Sequence, residues 1–391
     1  MILKLILAAF ALLSLGLMLW QWLVARRFPL HQRADDPSFA PPVTLLKPLR
    51  GSDLATESCL RSWLAQDYPG PVQILFGVAS ADDTVCPIVN KLLGEFPAAD
   101  ARLVVCGPLS GANAKVAKLV ELTRLAKHDL IAVSDADVLT PKDFLKNAVV
   151  PLRKSEGKIG LVNCFYRLAN PATLAMRWEA IAINADFWSQ VLQARSLKPI
   201  DFALGAFMMV PRKSLEGIGG FESLKDCLAD DYQLGHRIAH QGQRIEICPV
   251  VVECWSAPMN WSAVWNHQLR WARTIRVSQP LPYFFSILSN PTLWPLIWLL
   301  ANPTRYVLVV VVFCWLTRLL MAADLQIRLT QTKIHLWYWW LSPIKDLCQA
   351  IIWLLAFAGN HIEWRGERMR LRRDGTLLRE QGSQGAVEQR S

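Results

Sequence analysis

LIAVSDADVLTP, residues 130–141, runs a buried-type β segment straight into two acids one residue apart, Asp135 and Asp137. In an open parallel sheet, ligands bind beyond the carboxyl ends of the strands, which is where this pair would project. Two carboxylates at that spacing can share a hard divalent cation, Mg²⁺ or Mn²⁺, and the cation can clamp a diphosphate. The plainer reading is a solvated turn after a strand. Thr140-Pro141 then reads as a helix start.

The flanking sequence repeats the same alternation. Short β-rich runs at 43–46, 72–78 and 103–105 alternate with helix-like stretches around 55–66, 84–95 and 112–127. Alternating units of this kind imply an α/β domain with a mainly parallel, Rossmann-like sheet, placed at residues 40–258. The run 202–210 is apolar but too short to cross a bilayer, so it reads as a buried strand with a turn at Pro211.

Two further acidic pairs lie in this stretch. Asp82 and Asp83 follow the 72–78 run on the same expected sheet edge. They could accept hydrogen bonds from a base or ribose, or cap the next helix. Asp230 and Asp231 open DDYQLGHRIAHQG. First-turn carboxylates offset the helix dipole, and one of them could also act as a general base toward an attacking hydroxyl.

Outside this stretch the chain turns apolar. Of 391 residues, 52% are hydrophobic and 17 are Trp, most in or beside long apolar runs, as in an integral membrane protein. Residues 2–24, interrupted by Lys4 and Gln21, are long enough to cross ~30 Å of hydrocarbon and read as an uncleaved anchor over 1–25. Arg26, Arg27 and Arg33 then place the following domain in the cytosol, at the cell inner membrane. Within 281–360 come apolar runs at 283–301, 304–322 and 335–358, before a basic tail over 361–391. A cytosolic tail needs an even number of spans. The first run, with Pro282, Pro291 and Pro295, is therefore read as re-entrant or interfacial, and Lys345 and Asp346 in the third need partners.

Charge and cysteine use exclude other classes. The net charge of +10 gathers at the ends of apolar runs, including Arg365 to Arg373, and argues for membrane topology over nucleic-acid binding. The nine Cys form no C-x-x-C pair and no zinc spacing, which fits a reducing compartment. NWSAVWNHQLRWARTIRVSQ, 260–279, sets Trp261, Val264, Trp265, Leu269, Ala272 and Ile275 on one helical face and His267, Arg270 and Arg273 opposite. A Trp-rich, basic amphipathic helix over 259–280 suits the bilayer interface.

The clusters at Asp83, Asp135, Asp231 and Arg270-Trp271, in this order between apolar ends, resemble the ceramide glucosyltransferase family over about residues 43–373. VTLLKPLRG, GANAKVAKL and WRGERMRLRRDGT belong to the same likeness. The resemblance implies an inverting enzyme of the GT-A fold that moves a sugar from a UDP-sugar to a lipid hydroxyl. It makes Asp83, beside Asp82, the first acid at the nucleotide, and Asp135 the second, with Asp137 completing a metal-holding D-x-D. Asp231 becomes the third acid and base. Arg270 and Trp271 become the catalytic end of a Q-x-x-R-W motif, and Lys115 a nucleotide contact. Two positions depart: His267 stands where Gln or Arg is usual, and Ser80 where many members have an acid. UDP-glucose and ceramide are the family's typical pair, and some bacterial relatives instead join N-acetylglucosamine to hopanoids. The rivals are a processive polysaccharide synthase, which needs more spans, and a non-catalytic lipid-binding scaffold, which would lack the acids.

Overall fold

The computed structural model describes residues 1–379 apart from 35, 37, 108, 109, 154, 365, 366 and 373. The chain starts with α1 (Ile2–Arg27), β1 (Val43–Pro48), α2 (Thr56–Leu64), β2 (Val72–Val78), α3 (Cys86–Glu95), β3 (Asp100–Val105), α4 (Ala114–Arg124) and β4 (Leu130–Ser134). Next come β5 (Val138–Leu139), α5 (Phe144–Ala148), β6 (Ile159–Leu168), α6 (Leu174–Ile181), a π-helical turn (Ala182–Phe187) and α7 (Trp188–Leu197). Then follow β7 (Phe207–Pro211), α8 (Arg212–Gly217), α9 (Asp230–His240), β8 (Arg244–Cys254), α10 (Trp261–Ser278), α11 (Pro280–Phe285) and α12 (Leu293–Ala301). The last elements are α13 (Arg305–Thr330), α14 (Ser342–Phe357), β9 (His361–Trp364), β10 (Glu367–Leu371) and β11 (Leu377–Arg379). They form two compact units: Pro29–Asn170 with Lys198–Ala257, and Met1–Phe28 with Pro171–Leu197 and everything from Pro258 on.

The first unit is built on an eight-stranded sheet in the order β3-β2-β1-β4-β7-β6-β8-β5. β1 to β4 run parallel, β7 is antiparallel to both neighbours, and β6 pairs parallel with β8. β1 and β4 are buried along their whole length, which is why they read as continuous apolar runs rather than alternating ones. One face carries Leu45, Phe76, Ala132, Val162 and Met209. Trp63 of α2 stacks on Phe207 at 5.7 Å there, and Phe144 meets both rings edge-on. The α/β expectation holds, with two corrections. No helix starts at Thr140-Pro141, because Val138 and Leu139 hydrogen-bond to Cys254 and Glu253 of β8, and the helix waits until Phe144. The strand expected over 202–210 is confined to Phe207–Pro211, since its partner β4 offers five residues.

Residues 171–197 group with the apolar helices, although the sequence reading carried them in the sheet domain. Among the described residues, three helical stretches in this second unit are long and apolar enough to cross a membrane: Ile2–Arg27, Arg305–Thr330 and Trp337–Phe357. The Pro-rich run splits into Pro280–Ser289 and Leu293–Ala301, bent by 56°. Pro291 lies at the break, where Asn290 Oδ1 accepts from the amides of Thr292 and Leu293, so a side chain satisfies the freed backbone. Lys345 and Asp346 have the partners their position demands. Asp346 pairs with Lys345 at 2.8 Å and with Arg318 at 2.9 Å, and both cations also reach Asp186 in the π turn. Within the basic tail the described residues form a three-stranded sheet, β11-β10-β9. Arg365, Arg373 and residues 380–391 lie outside the described residues.

Candidate active site

Loop geometry at the carboxyl end of the sheet gathers the acids. β4 ends at Ser134, and the chain turns through Asp135, Ala136 and Asp137 before β5 pairs with β8. GANAK supplies the opposing lysine. Gly111 takes φ +93°, a left-handed conformation, and a Cβ there would lie 2.9 Å from Lys225, so only glycine fits this approach. Asn113 then caps α4, its Oδ1 accepting from the amides of Lys115 and Val116, while its Nδ2 donates to Cys227 O at 2.9 Å. This ties the start of α4 to the loop that feeds α9 and fixes Lys115 at the turn.

Lys115 Nζ lies 2.8 Å from Asp135 Oδ1 and 3.0 Å from Asp230 Oδ2, so one ammonium joins the D-x-D turn to the first turn of α9. Burial disfavours its charge, but Asp135 and Asp230 outweigh that and hold its pKa above the ordinary lysine range. Asp231 follows on the same turn. Its Oδ1 accepts from the Tyr232 amide at 2.7 Å, and a Cβ on Gly205 would meet its Oδ2 at 2.7 Å. Glycine at 205 therefore leaves the room this carboxylate occupies. Burial first, then the negative charge of Asp230, pushes Asp231 up to about 6. Asp137 is likewise pushed up to about 6, by burial and then by Asp135.

Asp135 beside Asp137 raises the cost of ionising Asp137, which a divalent cation would relieve, and carboxylate oxygens are the hard donors Mg²⁺ and Mn²⁺ prefer. Among the described residues no three His, Cys, Asp or Glu side chains form a ligand group. The D-x-D pair alone would supply part of a coordination shell, leaving positions for phosphate oxygens and water. The donor set fits such an ion.

Asp82 and Asp83 follow β2, two strands from β4, outside the hydrogen bonds of this cluster. Asp83 Oδ1 accepts from the Val85 amide at 3.0 Å and from the Gly51 amide at 2.9 Å, which joins the loops after β1 and β2. The helix-cap reading does not hold, since α3 starts from Val85 without a side-chain cap; Asp83 instead shapes the turn before it and joins two loops. Asp82 is exposed, its amide held by Ser80 Oγ at 3.2 Å. Ser80, where an acid was usual, serves this turn.

Arg270 and Trp271 belong to the helical unit, on α10. The line of α10 that is buried runs Val264, Gln268, Ala272, while Trp261 and Ile275, on the apolar face read from the sequence, are half exposed. Gln268 can be buried because Glu179 of α6, itself 1% exposed, accepts from its Nε2 at 2.8 Å and lies 2.6 Å from His267 Nδ1. His267 also leans on the Trp271 ring at 4.5 Å. Sequence reasoning missed Glu179, since a single acid in an apolar helix gave no pattern. It also missed Lys47, which is fully buried beneath the D-x-D turn and has its pKa lowered to about 8 by desolvation.

Comparison with solved structures follows the same outline. A mannosyltransferase of Pyrobaculum calidifontis, solved with GDP-mannose and Mn²⁺, matches over 90% of this chain and 99% of its own, with a TM-score of 0.51 and 23% identity. This likeness shows a fold of the GT-A class, with apolar helices at both ends. The profile of glycosyl transferase family 21 matches residues 6–377, and the chain belongs to that family. Ceramide glucosyltransferase 3 of Caenorhabditis elegans is 21% identical over 362 residues, 90% of this chain and 77% of the relative. Ceramide glucosyltransferase of Candida albicans is 33% identical over 130 residues, which is 30% of this chain and only 24% of that protein's length.

Proposed function

We propose that the enzyme transfers a hexose, glucose in the first instance, from a UDP-sugar to the hydroxyl of a membrane lipid, ceramide being the leading acceptor. The observation that carries this reading is the Lys115 bridge, which sets a D-x-D turn against the acidic first turn of α9. Asp231, pushed up to about 6 by burial, is the general base. It takes the proton as the lipid oxygen attacks the anomeric carbon from the face opposite UDP. The bond from that carbon to the UDP oxygen breaks, UDP leaves with the electron pair, and the configuration inverts. Asp83, Asp82, Lys115 and Asp135 contact the nucleotide. Asp135 and Asp137 would hold Mg²⁺ or Mn²⁺, which when bound neutralises the diphosphate. The family resemblance makes Arg270 and Trp271, on α10 of the helical unit, catalytic residues as well.

The lipid acceptor is supported by the ceramide glucosyltransferase relatives and by three helices with the length to span a bilayer. The setting is the cell inner membrane, with the acids on the cytosolic side. A panel of UDP-sugars and acceptor lipids, offered to the purified protein in lipid nanodiscs, tests all of this through UDP release and mass spectrometry. A lipid bearing one hexose is the expected product. N-acetylglucosamine on a hopanoid would move the assignment to that acceptor. A polymer would establish the processive synthase instead, and the lack of UDP release with every pair would leave a scaffold.

A further inference from the structure

The D-x-D turn is braced from below by residues that none of the acidic clusters contains. Lys47, on β1, is fully buried, and its Nζ donates to the main-chain oxygen of Asp135 and to Ser134 Oγ at 3.3 Å. The same Nζ stands 5.3 Å from the centroid of the Trp63 ring. Trp63, itself 1% exposed, donates from its indole to Val138 O at 3.1 Å, at the far end of the turn. Asp137 O accepts from the Trp255 amide at 3.0 Å. Side-chain donors thus hold the main-chain oxygens of Asp135 and Val138, on either side of Asp137.

A buried ammonium costs free energy unless it is paired and hydrogen-bonded. Its presence under this one loop needs a compensating role. The net charge around the turn suggests one. Asp135, Asp137, Asp230 and Asp231 gather here, and Lys115 is spent on Asp135 and Asp230. Lys47 stands on the Asp137 side, where the field of Asp137 is the largest favourable influence on it.

We infer that Lys47 and Trp63 are positioning residues for the metal and diphosphate site, clamping both ends of the D-x-D turn so that Asp135 and Asp137 are held in place before the nucleotide arrives. The inference rests on reading that turn as the diphosphate site. Preorganised ligands need less reordering on binding, so the clamp should appear in nucleotide and metal affinity more than in the chemical step.

The test uses the full-length protein in detergent or nanodiscs. Lys47→Met keeps the length of the side chain and removes the charge. UDP binding, measured by calorimetry in Mn²⁺, should weaken by roughly 10-fold or more, the worth of one charged hydrogen bond. Half-saturation by Mn²⁺ should rise, and saturating Mn²⁺ should restore kcat, a rescue that general loss of fold would not allow. Asp137→Ala is measured in parallel. If both variants leave UDP affinity and Mn²⁺ dependence unchanged, the diphosphate-site reading itself fails. If Asp137→Ala changes them and Lys47→Met does not, the clamp alone is overturned. Should Lys47→Met not fold, Trp63→Phe decides: it keeps the ring and loses only the indole donor, and unchanged affinity for UDP and Mn²⁺ would overturn the proposal.

Discussion

Both terminal nitrogens of Arg318 donate to the carboxylate of Asp186, Nη1 to Oδ1 and Nη2 to Oδ2, each at 2.8 Å. Arg318 also reaches Asp346, and Lys345 bridges the two acids, giving two cations and two anions closed on one another inside the apolar unit. Asp346 extends the group to the bend of the Pro-rich run, accepting from Thr292 Oγ1 at 2.6 Å. Removing one member leaves an uncompensated buried charge. Arg318→Met should therefore cost on the order of 3–5 kcal/mol and lower the midpoint of thermal unfolding in detergent. An unchanged midpoint would mean that the quartet carries no net stability.

Asp137→Ala should weaken UDP-sugar binding and raise the Mn²⁺ or Mg²⁺ needed for half-maximal activity, with the unfolding midpoint close to wild type. Full activity in EDTA would remove the metal from the site.

For the base, Asp231→Asn should lower kcat by roughly 10²- to 10⁴-fold and leave UDP affinity near wild type. The acid form cannot accept a proton. With Asp231 pushed up to about 6, wild-type kcat should fall as pH drops through about 6, and the variant's residual rate should lack that limb. The stability effect has the opposite sign. A carboxyl whose folded pKa is raised favours the folded state at low pH and loses that contribution as pH rises through about 6. Wild type should thus lose stability relative to Asp231→Asn between pH 5 and 7, which unfolding at the two pH values will measure.

Two glycines separate geometry from packing. In Gly205→Ala the new methyl would sit 2.7 Å from Asp231 Oδ2, so the carboxylate must move and kcat should drop by roughly 10- to 100-fold with little loss of stability. In Gly235→Ala it would sit 2.3 Å from the backbone nitrogen of Ala203, which cannot yield cheaply. That variant should lose about 1–3 kcal/mol in unfolding measurements.

α10 offers a test of acceptor delivery. Trp261 is half exposed, whereas Trp265 packs beside the buried Val264, so Trp261 is the ring available to a bilayer. Trp261→Ser should raise the KM for a long-chain lipid and spare a short-chain soluble analogue. Arg270→Ala should lower turnover on both, on the order of 10²-fold. Equal loss on both acceptors for Trp261→Ser would make the helix structural.

Local pattern was enough to establish the α/β alternation, the helix over DDYQLGHRIAHQG, the apolar ends and the break in the Pro-rich run, because each is written in neighbouring residues. The order of acids gave the candidate site for the same reason: D-x-D and DD are contiguous, and the strand before Asp135 says where it points. Tertiary structure decided what depends on distant partners. Val138 and Leu139 became a strand because β8, more than a hundred residues later, offered hydrogen bonds. Glu179 set which face of α10 is buried. Lys47, Lys115 and Arg318 are single cations whose meaning lies in the carboxylates they meet, and those meetings are fixed by sheet order and helix packing. A buried charge is tolerated only with its partner, and partners far apart in sequence leave no local pattern to read.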